Sequence, residues 1–252
     1  MPAADSIPAL PAAAMARLDR LLVDELGFDV LQLMESAGSA VAAEARARLP
    51  DGDARDRRVL VLAGSGGNGG DGLVAARLLR SWGAQVDVIL SHDPAGLRGP
   101  AAHQHEILVR LGQPPAGPPP ADAPIALPPA DLLIDALLGF GLAGPPSGVS
   151  AAFIRAANAH GAPILAVDLP SGLDATTGVP YAPCVRAAVT VTLALPKTGL
   201  VLPSARPVVG DLVLADIGVP LAAYRRLGFA IPPLFHRSSR IALSWPRPAS
   251  DP

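Results

Sequence analysis

Short apolar runs recur along this chain, each followed by a glycine- or aspartate-bearing turn and then by apolar residues at helical spacing. The clearest is Val59-Leu60-Val61-Leu62-Ala63, which breaks into Gly64-Ser65-Gly66-Gly67-Asn68-Gly69-Gly70-Asp71-Gly72 and resumes as a helix over Leu73–Arg80. Similar runs at Val86–Leu90, Asp131–Leu138, Ile164–Leu169, Ala187–Leu195 and Asp211–Ile217 predict five more strands. Helical spacing predicts helices from Ala14 to a break at Gly27, over Val30–Leu49, over 99–112 and from Ser147 to about His160. Alternation of strand and helix predicts an α/β fold with a mostly parallel, doubly wound sheet. Gln113–Ala130, which contains PPAGPPP, reads as a surface linker. One domain is expected over 14–220, with 1–13 a loose Ala- and Pro-rich leader and 221–252 a tail without a repeating pattern.

Composition narrows the function classes. A chain of 252 residues with a net charge of −2 has no electrostatic reason to bind nucleic acid or an anionic membrane. No apolar run is long enough for a membrane span, and the N-terminus lacks a signal-peptide layout. The single cysteine, Cys184, cannot form an internal disulfide, which points to a reducing, cytoplasmic setting, and no base beside it marks it as a nucleophile. His103, His105 and Glu106 share one predicted helix, but the two histidines are two apart and face different sides, so a solvated surface is expected rather than a metal site. Glu35 likewise reads as a helix carboxylate reaching solvent.

In a doubly wound sheet, ligands sit beyond the carboxyl ends of the strands. Four polar groups fall there: Asn68 with Asp71, Asp135, Asp168 with Ser171 and Asp174, and Lys197. The glycine loop opening a helix favours a phosphate or pyrophosphate. Gly64-x-Gly66-x-x-Gly69 satisfies the dinucleotide spacing, yet Asp87 falls inside the next predicted strand rather than at its end. No Gly-Lys-Ser/Thr follows the loop, and neither Ser65 nor Ser171 sits in Gly-x-Ser-x-Gly, so triphosphatase and nucleophile-elbow chemistry are excluded. An alternative uses oxygen donors. Asn68, Asp135 and Ser171 offer one carboxylate among neutral oxygens, which suits a monovalent cation, leaving Asp168 as general acid–base and Lys197 as a charge partner.

Five ordered segments carry a family resemblance: Leu33-Met34-Glu35-Ser36-Ala37-Gly38, Gly64–Gly72, Asp135–Leu142, Val167–Gly178 and Thr190–Leu200. From about Met15 to Pro220 the chain resembles the NAD(P)H-hydrate epimerases, the YjeF N-terminal domain proteins. The resemblance implies a Rossmann-like three-layer α/β/α sandwich, a homodimer, and interconversion of the R and S epimers of hydrated NADH or NADPH. It also implies functional coupling to a separate NAD(P)H-hydrate dehydratase. By motif it implies one potassium ion per subunit on Asn68, Asp135 and Ser171. It implies substrate loops at Gly67-Asn68-Gly69-Gly70-Asp71 and Gly139-Phe140-Gly141-Leu142-Ala143-Gly144-Pro145, with Asp168 as substrate contact and acid–base. Lys197 joins them as a substrate contact on the residue reading above. Three positions depart from the family's usual pattern: Gly67 replaces an asparagine, Gly144 a basic residue, and Ala188 an aspartate. Two other readings make different predictions. A nicotinamide-dependent oxidoreductase would bind intact cofactor tightly, and a non-catalytic scaffold would show degraded site residues.

Overall fold

The computed structural model describes residues 1–120 and 125–245. Six parallel strands lie in the order β2-β1-β3-β4-β5-β6, and a seventh, β7, pairs antiparallel with β6. They are β1 (Arg58–Ala63), β2 (Gln85–Leu90), β3 (Leu132–Ala136), β4 (Ile164–Val167), β5 (Val189–Leu193), β6 (Asp211–Ala215) and β7 (Arg240–Leu243). The helices are α1 (Ala12–Arg20), α2 (Val30–Arg48), α3 (Gly67–Ser81), α4 (Gly99–Arg110), α5 (Gly148–Ala159), α6 (Arg206–Val209) and α7 (Leu221–Arg226).

Helices cover both faces, so the central strands are buried almost throughout, while the edge strand β2 alternates between buried and exposed positions. On one face Val59, Val61 and Ala63 pack with Val41, Leu73, Ala76 and Leu79 of α2 and α3. On the other, Leu60, Leu62 and Leu133 meet Phe153 and Ile154 of α5. Towards β6 that second face is covered by α1, α7 and the N-terminal segment, where Leu212 and Leu214 meet Leu18 and Leu22. These are the three layers expected of the fold. Strand order reverses between β1 and β3, and this places the ligand crevice of such a sheet beyond their carboxyl ends.

Three expectations are corrected. The leader is not loose: Ala4, Ile7 and Leu10 are buried, and Leu10 exchanges backbone hydrogen bonds with Pro196 and Thr198 (2.9 and 3.0 Å). Its buried residues sit three apart among Ala and Pro, a spacing too sparse to register as an element. The stretch after Pro220 contains α7 and β7, and β7 caps what would otherwise be an open edge at β6. The Pro-rich linker is partly structural. Ala116 bridges to Ile89, and Ile125 and Leu127 pack on the α5 cluster; its residues 121–124 lie outside the described residues.

Helix α1 continues as a π-helical turn over Leu21–Glu25 and stops before Gly27, where φ is +74°. Glu35 does not simply reach solvent; it forms an ion pair with Arg77, joining α2 to α3. Those helices approach closely, since a Cβ on Gly38 would lie 2.4 Å from the Cβ of Val74.

Candidate active site

The glycine stretch after β1 is helix rather than loop. Helix α3 starts at Gly67, so Asn68 and Asp71 stand in its first turns. Helix propensity argues against that start, and packing overrides it. A Cβ on Gly64 would lie 2.0 Å from the Leu137 carbonyl oxygen, and one on Gly69 1.9 Å from that of Gly64. At Gly70 it would meet Met34, and at Gly72 the Cβ of Ala136. The glycines therefore let a helix N-terminus sit against two strand ends. No side chain caps it at Gly66, which leaves its first amides for an anion.

Beyond β4, Asp168 adopts φ +66°, a left-handed conformation that aspartate tolerates better than most residues. Its amide donates to Val191 (2.8 Å), and its carboxylate accepts the Leu193 amide (3.1 Å) and pairs with the Lys197 ammonium. Lys197 also donates to the Leu193 carbonyl (3.1 Å) and lies 5.9 Å from the centroid of the Phe140 ring. Both partners are buried, at 4% and 1% exposure, so each charge depends on the other. The strap holding Lys197 in place is the N-terminal segment through Leu10.

Asp71, 9% exposed, lines one cavity with Asp168 and Lys197, and its carboxylate makes no hydrogen bond among the described residues. Burial, with Asp168 adding to it, raises its pKa well above the ordinary carboxylate value. Asp19, on α1, also borders the cavity, and burial by surrounding protein raises its pKa too, partly offset by Lys197.

A fourth carboxylate lies behind the wall. Asp135 accepts the Ser171 hydroxyl (2.6 Å), the Ser171 amide (2.8 Å) and the Leu137 amide (3.3 Å). Burial pushes it up to about 6, against the pull of those donors. The Ser171 hydroxyl also accepts the Leu138 amide (2.9 Å), and the Asn68 amide donates to the Leu138 carbonyl (3.2 Å). Asn68, Asp135 and Ser171 thus converge on one backbone segment.

Of the residues expected at the site, Gly67, Asn68, Asp71, Gly139, Phe140, Gly141, Leu142, Ala143, Asp168 and Lys197 line one cavity of about 650 Å³. Gly69 and Gly70 serve packing behind it, and Gly144 and Pro145 lie outside its lining. Asp174 is turned away, holding the amides of Thr176 and Thr177 and the hydroxyl of Tyr181. Sequence reasoning missed the contribution of α1 and α2, including Met15, Asp19, Leu33 and Met34, and of His92 beyond β2. An acid inside an otherwise apolar helix face and a polar residue just past a strand were the available signals. Cys184 is inert: burial pushes its thiol up to about 12.

Comparison with known proteins agrees with this geometry. A family model described as the YjeF-related protein N-terminus matches residues 30–199. The chain belongs to that family. Members of known description include an NAD(P)H-hydrate epimerase of Dehalogenimonas lykanthroporepellens, 42% identical over 227 residues, covering 88% of this chain and 87% of the relative. Another, from Limosilactobacillus fermentum, is 36% identical and covers 82% and 96%. A bifunctional NAD(P)H-hydrate repair enzyme of Moorella thermoacetica is 44% identical over 217 residues, covering 83% of this chain and 40% of the relative. The chain therefore spans less than half of the bifunctional family members and nearly all of the shorter ones. The crystal structure of yeast ynu0 shares the fold, with a TM-score of 0.78, 24% identity, and coverage of 94% of this chain and all of that one.

Proposed function

We propose that this protein is an NAD(P)H-hydrate epimerase, interconverting the R and S forms of hydrated NADH or NADPH. The observation that carries the reading is a pair of buried carboxyls on one cavity in opposite environments, Asp168 against Lys197 and Asp71 without a partner. The altered ring carbon bears a hydroxyl beside nitrogen, so inversion by loss and return of that hydroxyl, or by ring opening, needs a proton delivered and a proton removed. A carboxylate held by an ammonium can accept one. A carboxyl whose pKa burial raises is suited to donate one, so the two surroundings fit base and acid roles. The free amides at Gly66–Asn68 suit the pyrophosphate, and the apolar wall from Met15, Leu33 and Met34 keeps water from the ring.

Asn68, Asp135 and Ser171 are the residues that would hold potassium. Their chemistry fits: one carboxylate, an amide oxygen and a hydroxyl, next to the Leu138 carbonyl, with no cluster of three or more acidic, histidine or cysteine side chains among the described residues. Bound there, the ion would supply fixed positive charge that braces the Leu137–Gly139 turn. A homodimer, a cytoplasmic setting and coupling to an NAD(P)H-hydrate dehydratase complete the reading. Among the described residues no helix is long and apolar enough to cross a membrane.

The test supplies an R-enriched hydrate of NADH together with an S-specific dehydratase and follows NADH recovery. Faster recovery than spontaneous epimerisation is expected. Recovery at the spontaneous rate, with intact NAD(P) bound tightly and reduced, would favour the oxidoreductase alternative instead.

A further inference from the structure

The cavity has two ends, and their chemistry differs. One lies beyond β4 and β5, where Asp168 and Lys197 pair, with Asp71 of α3 lining the same cavity. The other lies beyond the edge strand β2, where the chain leaves Leu90 and presents Ser91 and His92. Between them stands the uncapped start of α3, following β1. In the sheet order β2-β1-β3-β4, three strand spacings separate the two ends, about 14 Å. A single nucleoside does not bridge that gap, but a dinucleotide crossing the α3 N-terminus at its pyrophosphate does. The reacting ring belongs with the proton-exchanging groups, which leaves the adenosine to the β2 end.

In a doubly wound sheet the residue just past β2 faces the ribose 2′ position: an acid there holds a free 2′-hydroxyl, and a cationic donor accommodates a 2′-phosphate. Here no carboxylate is free to play the first part. Asp87 lies within β2, paired in register with Leu60. Asp93 is committed to a local turn, where it accepts the Ala95 amide (2.9 Å). His92 borders the cavity instead, its Nδ1 2.9 Å from the hydroxyl of the buried Ser91. The Ser91 contact fixes the orientation of the ring, and among the described residues Nε2 makes no hydrogen bond, which leaves it to meet a phosphate oxygen.

We propose that His92, oriented by Ser91, reads the adenosine ribose 2′ position and gives this protein a preference for the 2′-phosphorylated cofactor hydrate. The inference rests on the epimerase reading for the identity of the substrate. It adds the direction in which the dinucleotide lies and the residue that sets its class. Ser91 is a positioning residue in this account, acting only through the imidazole.

The test measures kcat/KM for the NADPH hydrate and the NADH hydrate side by side, and titrates adenosine 2′,5′-bisphosphate and 5′-AMP into the protein. Wild type should favour the phosphorylated member of each pair. In His92→Asp the NADPH-hydrate to NADH-hydrate ratio should fall by tenfold or more, and in His92→Arg it should rise. A merely structural role would move both substrates together in both variants. An unchanged ratio overturns the assignment. If wild type turns over neither hydrate while bisphosphate still binds above 5′-AMP in a His92-dependent way, the epimerase reading has failed and the adenosine end stands.

Discussion

Two aspartates face the same cavity from opposite sides of the crevice, and the protein treats them differently. Asp168, at the end of β4, is given an ammonium, a backbone amide and a left-handed backbone that aims its carboxylate. Asp71, in the first turns of α3, is buried to 9% exposure against 4% for Asp168, and its carboxylate has no hydrogen-bond partner among the described residues. Supplying both with donors would make a more stable protein and leave only proton acceptors in the pocket. Leaving one bare costs stability and raises its pKa, which favours the protonated form that can give a proton. In the epimerase reading, that contrast separates the base from the acid.

The contrast can be broken first at Asp168. Asp168→Asn keeps a residue tolerant of φ +66° and removes the charge. Turnover should fall by about 10² to 10⁴-fold, and denaturant titration should show a loss of roughly 3–5 kcal/mol as Lys197 is stranded. Lys197→Met should destabilise comparably, whereas the double variant should be more stable than either single one. Additive losses would mean that the two side chains are not a coupled buried pair.

Asp71→Asn should do the reverse for stability. A folded-state pKa raised above the unfolded value means that wild type loses stability as pH rises from the ordinary carboxylate range up to that raised value. The variant should therefore be more stable at neutral pH, by on the order of 1–3 kcal/mol. The gain should vanish towards acid pH while turnover drops. A variant less stable than wild type at pH 7 would show that Asp71 has a partner after all.

Potassium tests the carboxylate behind the wall. Replacing the ion by tetramethylammonium should lower thermal stability by about 1.4 kcal/mol for each tenfold by which potassium exceeded its dissociation constant, and Asp135→Asn should abolish that difference. The smallest effect is expected at Gly67. A side chain there meets nothing within 4 Å, so Gly67→Asn should change stability by less than about 0.5 kcal/mol and act on KM rather than kcat.

Much of the site was legible because it lies on elements with a strong pattern. Strand ends announce Asp135, Asp168 and the Gly64 turn, and the fold class alone brings them to one edge. What stayed illegible had no periodicity to read. Leu10 sits in an Ala- and Pro-rich stretch, yet its backbone fixes the segment that carries Lys197. Strand β7 is four residues long and exists because β6 offers it an edge. The glycines of α3 look like a loop because their helical state depends on Met34 and Ala136, neither of them local in sequence.

The sequence by itself determined the six parallel strands, the helices between them and the polar residues at their carboxyl ends, since hydrophobic period and turn chemistry are local properties. Only the tertiary structure decided which carboxyl would be paired and which left bare. It also decided that Asp135 and Ser171 stand behind the cavity wall, and that α1 and α2 close it. Burial and partnership depend on atoms brought from far along the chain, and the surroundings of each aspartate follow from them.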